Sequence, residues 1–327
     1  MTRVDPSGQL TLFAKSAPDP DGVEAATALP ETAELARRLP AAVYLGGSTW
    51  SFPGWAGTVY DRDYPQARLA REGLAAYARY PLFKAVGIDR THYAPVEPAE
   101  LAAYAAAVPE DFLFLVKAHE ACSLARYPDH ARYGKQRGQA NPLFLDPAYA
   151  ADRVVAPYVE GLGAKGGALL FQLAAQSLGP PAAFAEKIHR FLAALPRGPV
   201  YAVEVRNREL ITAAYGDALA AVGACHCHNV YPRMPDLRAQ AALAKSERNP
   251  LTIVRWLVAP ALTYAESARR FAPFSRIVEP DPASRRAVAA LARETLASGR
   301  RFLATVNNNA EGSAPLSVLD LAREILA

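Results

Sequence analysis

The chain has 327 residues, 51% of them hydrophobic and 21% charged, and a net charge of +4. That is the composition of an ordinary soluble protein with enough apolar mass for one α/β barrel or two smaller domains, and its mildly basic balance permits an anionic partner without requiring one. No stretch reaches about 18 uninterrupted apolar residues, and the first 40 residues lack a cationic start followed by an apolar run, so neither a membrane span nor an export signal is expected.

Residues 1–40 read as a flexible, acidic and proline-dotted leader, and 41–327 as a single folded domain. Within the leader, "QLTLF" places Leu10, Leu12 and Phe13 behind Gln9. The pentapeptide resembles the short motif with which bacterial replication and repair proteins dock on the DNA sliding clamp. Such a peptide needs a flexible tether, apolar side chains for a groove and a glutamine amide for backbone partners. The alternative is that Leu10, Leu12 and Phe13 cover one end of the folded domain.

From residue 42 onward, short β-rich apolar runs alternate with stretches of helical period. The runs fall at 42–48, 84–89, 112–118, 167–173, 200–205, 224–229, 252–258 and 301–307. Eight such runs, each followed by a helical segment, predict a (β/α)8 TIM barrel, with two stacked α/β halves as the alternative. Asp146-Pro147 and Asp281-Pro282 have the form of an N-cap followed by proline at the first helical position, and Gly299 marks the second helix's end. Cys122, Cys225 and Cys227 make no disulfide framework, which favours a reduced, cytoplasmic setting.

In a TIM barrel the polar residues at the carboxyl ends of the strands face the site. That rule selects Ser48, Thr49 and Trp50, then Asp89, Thr91 and Tyr93, then Lys117, His119 and Gln172. Further along it selects Glu204, Arg206, His226, His228 and Arg255, and finally Asn307, Asn308 and Asn309.

"GGSTWSFPGW" is similar to the opening of the YecE-like family, the proteins with domain of unknown function 72. The resemblance continues in order through "FKAVGIDRTHY", "FLFLVKA", "GALLFQL", "AVEVRN" and "VNNNAEGSAP", from residue 44 to about 325. It implies a TIM barrel without a settled reaction, and it points to Trp50, Thr91, Tyr93, Lys117, Gln172, Glu204, Arg206, Asn307 and Asn308 as pocket residues. This chain departs from the family pattern in having Gly87 in place of a glutamate, Asp89 in place of an asparagine and Asn207 in place of a histidine. Ala118-His119 replaces the proline after the lysine strand.

Glu204 and Arg206, two apart on a strand, share a face and can form a charge-assisted pair, either as a buried ion pair or as part of a ligand site. Lys117, Arg206 and Arg255 offer a cationic floor for phosphate or carboxylate. "CHCH" at 225–228 invites a metal reading through His226 and His228, with Asp89, His92, His119 and Glu204 to complete a set. Alternation serves packing equally well there, so no metal is expected. No organic cofactor motif is visible. Trp50, Trp55 and Tyr93 offer stacking surfaces for a planar ligand, with loop packing the alternative for Trp55. The long loop after the third strand holds Arg126, Arg132, Lys135 and Arg137 among Tyr127 and Tyr133, which suits either a nucleic-acid backbone or a charged lid.

Two function classes follow. The first is a hydrolase or lyase for a phosphate-containing substrate, such as a nucleic acid in replication or repair. Lys117 and Arg206 would neutralise the anion, Glu204 or Asp89 would handle protons, and Asn307 and Asn308 would position the ligand. The second is a non-catalytic nucleic-acid or nucleotide binding module recruited through its leader.

Overall fold

The computed structural model describes residues 22–259 and 261–327. Eight parallel strands close into one barrel in chain order. They are β1 (Val43–Gly47), β2 (Ala85–Ile88), β3 (Leu113–Lys117), β4 (Gly166–Leu173), β5 (Tyr201–Val205), β6 (Cys225–Val230), β7 (Leu251–Trp256) and β8 (Arg301–Val306). Closure between β8 and β1 is continuous, from Val43 opposite Phe302 to Gly47 opposite Val306. That ring excludes two separate α/β halves and makes the chain a TIM barrel.

The two faces of each strand divide the core. Inside the ring lie Ala85, Leu113, Leu115, Ala168, Leu170, Ala202, Cys225, Cys227, Leu251, Ile253 and Leu303. Their strand neighbours, such as Val86, Phe114, Leu169, Val203, Val254 and Phe302, point outward into the larger layer between strands and helices. Apolar side chains therefore fill the lower barrel, and the inward positions one step further along each strand carry the polar groups.

Local chemistry sets the helices that hold this ring. Asp146 accepts the Tyr149 N–H at 2.7 Å, and Asp281 accepts that of Ser284 at 3.0 Å. Both caps precede a proline at the first helical turn, as their sequence predicts. Between β1 and β2 only two residue pairs are in register. There the buried Tyr77 hydroxyl accepts from Gly47 N–H at 2.6 Å and donates to the Ala85 carbonyl at 3.0 Å, joining the strands where the ladder is short. A Cβ at Gly46 would lie 1.7 Å from the Ala85 carbonyl oxygen, so only glycine permits this approach.

Residues 22–40, expected to belong to a flexible leader, are folded onto the barrel. Pro30–Arg38 is a helix, Thr32 and Leu35 are buried, and Glu31 pairs with Arg323 of the C-terminal helix at 2.7 Å. Leu35 belongs to the outer core layer, and that burial outweighs the segment's polar composition. Gln9, Leu10, Leu12 and Phe13 lie outside the described residues. Among the described residues no helix is long and apolar enough to cross a membrane.

Candidate active site

Three cations and two carboxylates meet at the carboxyl end of the barrel. Glu204, on β5, is 0% exposed. One of its oxygens pairs with Arg206, and the other accepts from Arg255 Nη1 at 2.8 Å. Arg255 projects from β7 across the ring, where it also donates to Gln172 Oε1 at 3.1 Å and approaches Asp89 at 3.6 Å. Alternation explains the convergence, since Gln172 stands opposite Glu204 in register and both face inward. Burial acts to raise the Glu204 pKa, but Arg206, Arg255 and Lys117 outweigh it and hold it at about 2. A carboxylate so fixed organises cations and is a poor acceptor of protons at neutral pH.

Lys117 ends β3 and is 8% exposed. Among the described residues its ammonium has no ion pair within 4.0 Å and no hydrogen bond. Burial lowers its pKa first, and Arg255 and Arg206 add to that effect, against the opposing pull of Asp89 and Glu204. Arg206 stacks on Tyr231, its guanidinium carbon 3.8 Å from the ring centroid. Tyr264 stands at the rim; its side chain is 53% exposed, yet its hydroxyl end is tucked in beside Asp89, Tyr93, Asn307 and Asn309. Sequence reasoning missed both tyrosines: Tyr231 directly follows the end of β6, and Tyr264 opens the helix Tyr264–Phe271, away from any strand end.

The remaining sequence-selected residues divide into two groups. Asp89, Lys117, Gln172, Glu204, Arg206 and Arg255 converge as described, with Asn307 at the exit of β8. Asn307 Oδ1 accepts from the Asn309 backbone N–H at 2.9 Å and from its amide at 3.0 Å. Trp50, Thr91 and Asn308 make scaffold contacts. Trp50, expected as a stacking surface, is buried, donates to the Ala70 carbonyl at 3.3 Å and packs edge-on against Tyr104. Thr91 donates to the Lys117 carbonyl at 2.6 Å, fixing the end of β3. Asn308 Oδ1 accepts from Trp55 Nε1 at 3.0 Å and Ala314 N–H at 2.8 Å, which anchors the C-terminal helix. Tyr93 is partly exposed, with the Arg132 guanidinium 5.4 Å from its ring centroid.

The histidines of "CHCH" face away from the mouth. His226 meets Tyr215 at 3.2 Å and Gln240 at 3.3 Å under the outer helices, and His228 Nδ1 lies 2.9 Å from the Ile253 carbonyl. Cys225 and Cys227 take the inward positions. The described residues contain no group of three or more His, Cys, Asp or Glu arranged to hold a metal. Position 87 also has a physical reading. A Cβ there would lie 2.7 Å from the Ser48 carbonyl oxygen, so a glutamate would displace the exit of β1.

The loop after β3 is a tied structure. Asn141 donates to the carbonyls of Ala121 and Leu124 at 2.8 and 2.7 Å and accepts from Tyr127 at 3.0 Å. Gln176, beyond β4, accepts from Ala125 N–H at 2.7 Å and donates to the Ser123 carbonyl at 2.8 Å. Asn207 in turn accepts the Gln176 N–H at 3.1 Å. Of the loop's cations, Arg132 pairs with Glu120, Arg137 with Asp129 at 2.8 Å, and Arg126 donates to the Gly138 carbonyl.

A family model described as "Protein of unknown function DUF72" matches residues 44–327. Among solved structures, this chain resembles a DUF72 family protein of Enterococcus faecalis at 15% identity and a TM-score of 0.58, over 86% of this chain and 95% of that one. It also resembles a DUF72 family protein of Thermotoga maritima at 16% identity and a TM-score of 0.55, over 86% of this chain and 98% of that one. No curated protein matches. At such identities the structural likeness speaks for the barrel alone, whereas the family model spans the whole of it, and by that match the chain belongs to the DUF72 family.

Proposed function

We propose that this barrel is an enzyme acting on a small phosphate-bearing substrate, by hydrolysis or elimination, with the anion held by Lys117 and Arg206. The observation that carries this reading is the buried Lys117 side chain, whose ammonium has no hydrogen-bonding or ion-pairing partner among the described residues, beside a Glu204 already committed to both arginines. Lys117, Arg206 and Arg255 against Glu204 and Asp89 leave one positive charge over, and a desolvated cation of that kind is satisfied by an incoming anion. Asp89 is the carboxylate available for proton transfer, because its side chain is 31% exposed at the mouth while Glu204 is enclosed. Arg206, stacked on Tyr231, presents a planar fork suited to a phosphate.

The β3 loop supports a small substrate over a nucleic-acid backbone. Its arginines 126, 132 and 137 are engaged within the loop itself, which suits a lid better than a phosphate track. Turnover of a panel of phosphate monoesters and diesters tests the reading. Asp89→Asn is expected to lower kcat at least about a hundredfold with little change in binding. Equal kcat in wild type and Asp89→Asn would remove Asp89 from the chemistry, and phosphate binding without any turnover would leave a binding module.

A further inference from the structure

We propose that Tyr93 and Tyr264 form an aromatic platform at the mouth, so that the phosphate ester taken by this site carries a planar aromatic ring, an aryl group or a nucleobase. For its phosphate this rests on the anion reading above; the ring rests on different side chains.

Among the described residues five large hydrophobic side chains are exposed, and the two aromatic ones are Tyr93 at 37% and Tyr264 at 53%. By contrast, Tyr60, Tyr77, Tyr158 and Tyr215 are buried. The other three exposed side chains, Leu29, Val159 and Leu243, belong to three separate helical segments, the scatter that an ordinary protein surface shows. Tyr93 and Tyr264 instead come from the connections after β2 and after β7 to one place, beside Asp89. Accessible ring surface gathered at the carboxyl end of a TIM barrel, next to a charged cluster, is surface that a ligand can cover.

Both rings are held. Tyr264 opens the helix Tyr264–Phe271, whose start is fixed by a capping box in which Glu266 accepts the Thr263 N–H at 2.8 Å and Thr263 Oγ1 accepts the Glu266 N–H at 3.3 Å. Its hydroxyl end is tucked in, so the surface it leaves to solvent is ring. Tyr93 has the Arg132 guanidinium against it, and Arg132 is itself paired with Glu120, while His92 packs edge-on at 5.3 Å between ring centroids. Rings held in this way lose little freedom when they are covered. A saturated group would cover them too, but a planar one adds the offset or edge-to-face attraction that aromatic pairs have beyond their buried area. Asp89, which the platform adjoins, approaches Arg255 at 3.6 Å, so a ring stacked there has its phosphate beside the charged cluster.

Calorimetric titration of the full chain with phenyl phosphate, cyclohexyl phosphate, adenosine 5′-monophosphate, ribose 5-phosphate and adenosine tests this. The first two are of similar size and differ in planarity, and the next two differ by the base. Each ring-bearing ester is expected to bind at least about fivefold more tightly than its counterpart, and the larger ratio tells an aryl group from a nucleobase. Tyr93→Leu/Tyr264→Leu should erase both ratios, and Tyr93→Phe/Tyr264→Phe should keep them, because the ring is used and not the hydroxyl. Ratios near one in the wild-type protein, or ratios unchanged in the leucine variant, overturn the platform and leave the anion site standing. Binding of adenosine that is lost in the leucine variant, with no phosphate bound, sustains the platform and overturns the anion site. Binding of none of the five overturns both.

Discussion

Glu204 is the residue on which the polar centre turns. It is enclosed, charged and held by two arginines, so Glu204→Gln leaves Arg206 and Arg255 without compensation, and a loss on the order of 3 kcal/mol in denaturant unfolding is expected. Its pH dependence has the same sign. The folded-state pKa of about 2 lies below the ordinary 4.5, so the stability that Glu204 contributes is complete above pH 4.5 and lost as pH falls toward 2. The buried histidines act earlier. Burial, reinforced by the neighbouring His228, lowers His226 to about 3; burial lowers His228 to about 4. Both stay neutral in the fold while the unfolded chain protonates from about pH 6.5 downward. Urea midpoints should therefore begin to fall below pH 6.5, well before carboxylates titrate, and a flat profile from pH 8 to pH 5 would contradict this. Period-two alternation made the inward pairing of Glu204 with Arg206 legible in the sequence. It did not reach Trp50 and Thr91, which lie past strand ends where the chain has already turned. Asn308 is one residue out of phase with Asn307. "CHCH" has two faces, and nothing local says which is inside.

At the scale of elements, all eight strands stand where their apolar runs predict, within two residues at either end. The two Asp-Pro caps are in place as well. Strand order needed no long-range information, because repeated βα units with right-handed crossovers pair sequential strands. The β1–β2 seam was not legible, since it is bridged by Tyr77, a helical residue 30 positions after Gly47 of β1 and 8 before Ala85 of β2. Tyr77→Phe removes both of its hydrogen bonds and leaves the Gly47 N–H buried, so a loss of about 1–3 kcal/mol is expected by urea unfolding. A loss below a few tenths would mean that the seam is held by packing alone. The folded 22–40 segment was missed for a similar reason. Its composition is polar, but Leu35 and the Glu31–Arg323 pair fix it to a surface that exists only once the barrel has closed.

For the whole molecule, the barrel has apolar layers below and a largely buried charged cluster above, at the mouth, with Asp89 at its exposed edge. The β3 loop, which leaves its strand at that end of the barrel, is tied down by Asn141 and Gln176. The central claim is that Lys117 is the cation left for an anion. Sulfate, which keeps its charge across the range, isolates it from the ligand's own titration. Sulfate affinity measured from pH 6 to pH 10 should fall as Lys117 loses its proton, with a midpoint below the ordinary lysine value because burial lowers it. Lys117→Met should abolish the binding at every pH. Sulfate bound equally well by wild type and Lys117→Met would contradict the account.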